Sequence, residues 1–276
     1  MRQKPILLFF ILQFCFHAVA ADRAAIIEER HALFTLATLA VTYSQLQKKN
    51  PVGHPIAAAI AWDVEDPLKT PRFIVERNRN LENQSELFHA EISTLYRAWS
   101  QLKTPYPPSL KPVEKRTHYS DRLENTTLYT SLEPCPMCSA TALMSRVPRI
   151  FFAMEDPAFR NPKTHALEQP LVGAFYGRKV EVIGSQTTWA KELNRKVWEA
   201  EEQVFSGKLT DPKAVWTDSR GVTRLNLVSY LYREGSALFK PGYDAFTTFK
   251  VQHPENAGLH RALMKDLFPT FKVIAH

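Results

Sequence analysis

Leu132-Glu133-Pro134-Cys135-Pro136-Met137-Cys138 sets two thiols three residues apart, directly after a run rich in β-branched and aromatic residues, Thr127 to Ser131. The run reads as a strand over 127–133. The prolines suit a helix entry, where a missing N–H costs nothing. At this spacing two side chains lie on one face of a helical turn and can reach one ion. The helix N-terminus favours thiolates, the form that binds metal. Upstream stands His89-Ala90-Glu91, followed by Ile92, Leu95, Tyr96, Trp99 and Leu102 at helical spacing. His89, Cys135 and Cys138 together make an N/S donor set suited to Zn2+. They are one ligand short of the four that close a structural site, which leaves a corner for water. Glu91 projects away from the apolar face of its helix and is placed to carry protons beside the metal. The metal is expected between two helix N-termini.

Taken singly, each part has a plainer meaning. His89 alone fits a core histidine and Glu91 alone a solvated acid. The C-x-x-C alone fits a thioredoxin-like dithiol or half of a four-cysteine zinc site. There is no second C-x-x-C, and the one other cysteine, Cys15, lies in the apolar start of the chain.

That start reads as a secretory signal over residues 1–20. Arg2 and Lys4 are followed by a mostly apolar run, Ile6 to Phe16, and by the small-residue site Ala18-Val19-Ala20. Cleavage would leave an exported protein with no membrane segment. It would take two basic residues from 35 and leave 33 against 28 acidic ones, a net charge of +5. No run of five like charges marks a nucleic-acid-binding arm. With Cys135 and Cys138 the only remaining cysteines, a disulfide-stapled fold is excluded apart from that one pair.

The 276 residues are 45% hydrophobic, enough for one sizeable domain and an extension. A helix is expected over 24–48, strands near Ile56 to Val64 and Arg72 to Glu76, and a polar loop at Asn78 to Ser85. The His89 helix comes next, then a Pro-rich loop at 103–125, the strand at 127–133 and the Cys135 helix. Strands follow at Arg149 to Met154 and Lys179 to Ile183, with a long helix from Thr188 to Phe205. The last two strands are separated by enough chain for a crossover, so they can be parallel. The pattern is a three-layer αβα fold with a mostly parallel five-stranded sheet, a domain over 24–206. Residues 207–276 form a mainly helical C-terminal extension, with helices at Val222 to Glu234 and Ala257 to Phe268.

From about Arg30 to Phe205 the chain resembles the cytidine/deoxycytidylate deaminase-like zinc superfamily. It is most similar to the branch of tRNA adenosine deaminases and guanine deaminases. The likeness rests on Arg30-His31-Ala32-Leu33, His89-Ala90-Glu91, Leu132 to Cys138, and Phe152-Ala153-Met154-Glu155-Asp156-Pro157. H-x-E with P-C-x-x-C is the signature of zinc deaminases. The resemblance implies hydrolytic removal of an amino group from a nucleobase or nucleoside as ammonia, a purine such as guanine or adenosine being favoured. It implies Glu91 as the general acid/base and Asn78 and Asp156 as substrate contacts. Asn78 also fits a turn residue, with Asn80 competing for the role, and Asp156 also fits a solvated loop acid. A tRNA or other nucleic-acid adenosine, or a role as a secreted deaminase toxin, is the alternative, with a homodimer left open. A non-catalytic zinc module and a dithiol oxidoreductase are the readings from other classes. The leader, the loop at 103–125 and the extension depart from the family pattern.

Overall fold

The computed structural model describes residues 4–101, 123–161, 163–164, 174–175, 178–218 and 221–271, and only the backbone of 4–20. The chain begins with one long helix, α1 (Lys4–Leu46). The sequence predicts it only from residue 24. It runs further because no Gly or Pro stands between residues 6 and 50 to interrupt the backbone ladder. Among the described residues no helix is long and apolar enough to cross a membrane.

The sheet has five strands in the order β2-β1-β3-β4-β5: β1 (Ala57–Trp62), β2 (Arg72–Arg77), β3 (Thr126–Leu132), β4 (Arg149–Met154) and β5 (Glu181–Gly184). β1 is antiparallel to both β2 and β3, with Ile60 opposite Ile74 and Ala59 opposite Tyr129. β3, β4 and β5 pair in parallel, with Thr130 opposite Phe152 and Phe151 opposite Ile183. Four of the five strands therefore run one way and β1 alone is reversed, the mostly parallel sheet expected. All six residues of β1 are buried, as in a strand covered on both faces. Tyr129 stacks on Phe34 of α1 with ring centroids 4.9 Å apart. Its neighbour Thr130 points to the opposite face and meets α2 (Ala90–Gln101).

α3 (Pro136–Met144) follows β3, and α4 (Thr188–Phe205) follows β5 with the bounds the sequence predicts. Between Asn78 and Ser85, expected as loop, residues Asn80–Asn83 make one helical turn. Residues 103–122 of the Pro-rich loop lie outside the described residues.

The extension differs in detail from the expected pair of helices. Thr223–Leu225 is not helical: it forms β7, antiparallel to β6 (Val215–Thr217). The reason is local and tertiary at once. Asn226 caps the next helix by accepting from Ser229 N, and the Leu225 N–H just before it is taken by Glu201. α5 then runs from Leu227 to Thr247 and α6 from Ala257 to Phe271. α5 lies against α1. A Cβ on Gly242 would stand 3.0 Å from Leu39, and one on Gly235 2.7 Å from Leu46 Cδ1, so the two glycines mark the close approach.

A buried polar knot fastens α1 to the extension. Arg30, fully buried, donates to Asn256 Oδ1 (2.7 Å) and to the carbonyls of Val64, Asp66, Pro67 and Lys69 (2.7–3.1 Å). Asn256 in turn donates to Ile26 O and Glu29, and Glu29 also accepts from the backbone N–H groups of Gln252 and His253. The extension is thus part of the core around α1.

Candidate metal centre

His89 directly precedes α2, Cys135 is the N-cap residue of α3, and Cys138 lies in the first turn of α3. Two helix N-termini therefore converge on one point, as the spacing predicts. His89 Nδ1 stands 3.7 Å from Cys135 Sγ and 3.6 Å from Cys138 Sγ. All three donor atoms lie within 4.8 Å of one another. Zinc bonds of about 2.0–2.1 Å to N and about 2.3 Å to S, arranged tetrahedrally, separate N from S by about 3.6 Å. The observed edges match, so the residues fit a zinc ion. Cys135 is half-buried and Cys138 buried, and neither is in a disulfide.

The electrostatics agree with a cation site. A hydrogen bond from the Cys138 thiol draws Cys135 down to about 4, with burial opposing and His89 helping. Sharing that proton, and being buried, pushes Cys138 up instead. Left to themselves the two sulfurs carry one thiolate between them. A bound dication deprotonates coordinating thiols outright.

Glu91 sits beside the donors and is 3% exposed. Thr130 Oγ1 on β3 donates to its Oε1 at 3.4 Å. Burial raises its pKa above the ordinary carboxylate range, against the pull of His89 and Cys138. A carboxyl kept dry in this way is suited to exchanging protons near neutral pH.

Asn78 follows the end of β2 and is completely buried. Its Oδ1 accepts from Asn80 N at 3.0 Å, whereas its Nδ2 has no hydrogen-bond partner among the described residues. Arg79 N donates to Phe88 O at 2.9 Å, which ties this turn to the residue before His89. Asn80, the competing candidate, spends its Oδ1 on His54 N at 3.2 Å.

Asp156 is half-buried, not a solvated loop acid. Its Oδ1 accepts from Ala158 N at 2.9 Å, capping the turn Pro157–Phe159. Burial, with Glu133 and Cys135 adding to it, raises its pKa to about 7.

Glu133, quoted within the cysteine motif but given no role by it, proves to be a clamp. It is 2% exposed and takes both forks of Arg160, at 2.7 and 2.9 Å, as well as the Asp156 N–H at 3.0 Å. Arg160 is itself steadied from the extension: Arg224 pairs with Glu201 at 2.6 Å and donates to the carbonyls of Pro157 and Arg160. The available signal was an acid immediately before Pro-Cys-Pro, where a solvated side chain has no reason to be. Thr130 carried no signal beyond its place in a strand.

Comparison with known proteins agrees with this geometry. The family model of the cytidine and deoxycytidylate deaminase zinc-binding region matches residues 27–154. The tRNA-specific adenosine deaminase of Bacillus subtilis is 35% identical over 86 residues, which cover 30% of this chain and 44% of that protein. Its counterpart in Rickettsia felis is 29% identical over 108 residues, 39% of this chain and 60% of that one. The chain thus spans less than two thirds of these relatives. Among solved structures, a tRNA:A34 deaminase studied for A-to-I editing aligns at 22% identity and a TM-score of 0.36, covering 55% of this chain and 95% of that one. A guanine deaminase from Nitrosomonas europaea aligns at 21% and 0.36, covering 57% and 76%. Residues 27–154, with the three candidate zinc donors inside them, thus match the cytidine and deoxycytidylate deaminase zinc-binding region.

Proposed function

We propose that this protein is a zinc-dependent hydrolytic deaminase that exchanges the amino group of a nucleobase or nucleoside for oxygen and releases ammonia, with a purine as the favoured substrate. The observation that carries the reading is a three-donor N/S site at tetrahedral edge distances with a buried carboxyl, Glu91, against it. Zinc held there supplies a Lewis acid and makes hydroxide available near neutral pH.

The chain's own groups supply the rest. The Glu91 carboxylate takes a proton from water, and the carboxylic acid so formed returns it to the ring nitrogen beside the carbon under attack. A second proton, from water, passes by the same oxygen to the leaving nitrogen, which departs as ammonia. Thr130 holds Oε1 of Glu91 in place. Asn78 offers its free Nδ2–H groups to an acceptor on the substrate, which orients the ring, while the Glu133–Arg160 clamp keeps the Asp156 turn at the other side. A structural zinc module has no use for a buried acid beside its metal.

Guanine, adenosine, cytidine and a short RNA hairpin, each incubated with zinc-loaded protein, test the proposal by ammonia release. Turnover of a purine is the expected result. No ammonia from any of them, with zinc bound, would sink it. The name of the Bacillus subtilis relative and the net positive charge favour a second reading, a tRNA-borne adenosine. It predicts turnover of the hairpin with a KM that climbs steeply with salt, because phosphate contacts release counterions.

The basic start and apolar run of residues 1–20 support a reaction outside the cytoplasm. Protein recovered from the exported fraction of an expressing bacterium should begin at Ala21. A chain retained in the cytoplasm with its start intact refutes this.

A further inference from the structure

Six buried side-chain polar atoms lack a partner among the described residues, and two of them belong to adjoining segments: Nδ2 of Asn78 and Nδ1 of His54. We infer that His54 is a substrate-contacting residue, gripping the polar edge of the substrate remote from the reacting amino group in a two-point contact with Asn78. The inference rests on the deaminase reading above and adds to it a specificity residue that lies outside both zinc motifs.

The two orphan atoms belong to segments locked against each other. His54 N donates to Asn80 Oδ1 at 3.2 Å, Asn80 N donates to Asn78 Oδ1 at 3.0 Å, and Asn78 N donates to Ile56 O at 2.9 Å. Glu82 N donates to Val52 O at 2.8 Å, which closes the same strap. Residue 53 has to be glycine, since a Cβ there would come within 2.3 Å of Asn78 O and 2.5 Å of its Oδ1. With the backbones fixed and Oδ1 committed, Asn78 cannot turn its amide to find a protein partner for Nδ2. Buried polar groups are almost always satisfied, so two neighbouring exceptions call for a ligand.

The strap adjoins the metal centre. Arg79 N is bonded to Phe88 O, next to His89, and His54 feels the charges of His89 and Glu86. Burial lowers the pKa of His54, so the ring is neutral and Nδ1 can accept an O–H or N–H, or donate in the other tautomer. Asn78 Nδ2 only donates. An acceptor beside a hydroxyl or ring N–H satisfies both. A purine edge with adjacent carbonyl and N–H meets that description, and so does a pair of sugar hydroxyls.

The extension takes part. Tyr232 of α5 meets the His54 ring edge to face at 6.1 Å between centroids and donates its hydroxyl to Gly53 O at 3.3 Å. Tyr232 is thereby a positioning residue.

The test uses full-length zinc-loaded protein with adenosine and guanine as probes. In the wild type the ring 15N signals of His54 should move when either probe binds. His54→Ala should raise KM about tenfold, the worth of one well-made hydrogen bond, with kcat within about threefold and zinc content unchanged. His54→Gln should recover part of the loss, and Tyr232→Ala should raise KM by less than His54→Ala does. If a probe binds and is turned over while the His54 signals stay still and His54→Ala leaves KM unchanged, this inference alone falls. If neither probe binds, this inference falls, and the deaminase reading falls with it only when cytidine and the RNA hairpin also release no ammonia. Should His54→Ala not fold, the 15N signals of the wild type decide.

Discussion

Two clusters of polar groups in this molecule could hardly be more unlike. At the junction of α1 with the extension, every donor of the Arg30 guanidinium has an acceptor, and Asn256 and Glu29 are likewise fully engaged. Around His89 the polar groups are assembled but left short. Two sulfurs share one proton, a buried carboxyl leans on Thr130 and Cys138, and Asn78 and His54 each keep an atom without a partner among the described residues. Buried residues stand in both clusters, Glu91, Cys138 and Asn78 in one as Arg30 and Asn256 in the other, so burial alone does not separate scaffold from site. Satisfaction does: a closed network rigidifies the fold, whereas an open one waits for something the chain does not supply.

The contrast can be broken at its open end first. Cys138→Ser should lose zinc and all measurable ammonia release together, with a lower Tm, because metal binding is coupled to the folded site. Metal analysis beside the activity assay checks this. Full zinc occupancy in that variant would mean the donors are wrongly assigned. Glu91→Gln should keep zinc and lower turnover by about 10²–10⁴-fold, the usual worth of a general acid/base. Unchanged turnover would remove Glu91 from the chemistry and leave the open cluster unexplained.

At the closed end the signature reverses. Arg30→Met strands four backbone carbonyls and Asn256 Oδ1 in the interior, and unsatisfied buried groups cost about 1–3 kcal/mol each before relaxation. We expect a loss of at least about 3 kcal/mol in urea unfolding, with ammonia release per folded molecule unchanged. A variant of normal stability and crippled turnover would show that the knot serves the site after all.

How far the sequence revealed each cluster follows from their chemistry. His89, Glu91, Cys135 and Cys138 were legible because a metal demands particular residue types, and helical turns bring short spacings onto one point. The sheet was legible for the same local reason: runs such as Ala57–Trp62 and Arg149–Met154 are apolar and β-rich over the length of a strand. The Arg30 knot was not. Its partners lie 34 to 39 and 226 residues away, and nothing about Asn256 distinguishes it from any asparagine before a helix. Arg30 entered only as part of a family likeness. His54 was invisible too, since a lone histidine before proline becomes informative only when its ring nitrogen is seen to lack a partner. The helix expected at Val222 to Glu234 failed at its start, because Thr223–Leu225 pairs with Val215–Thr217 and is held by Glu201 of α4, which accepts from Arg224 and from Leu225 N.

The smallest effects examine the apolar side of the closed cluster, where α5 rests on α1 through two glycines that differ in one respect. A Cβ at Gly242 would meet both Cβ and Cδ1 of Leu39 at 3.0 Å, and Leu39 Cβ is fixed to the helix backbone. A Cβ at Gly235 would come closer, 2.7 Å, but to the terminal Cδ1 of Leu46, which can rotate away. Exchanging Gly for Ala within a helix gains about 0.5–1 kcal/mol of propensity. Overpacking against an immovable neighbour costs about 1–3 kcal/mol. Gly235→Ala should therefore be neutral or slightly stabilising, and Gly242→Ala destabilising by about 1 kcal/mol, the difference of those two terms. Urea denaturation of the pair measures the sign of each. Equal stabilisation by both would mean that α5 does not press on α1 at these two positions.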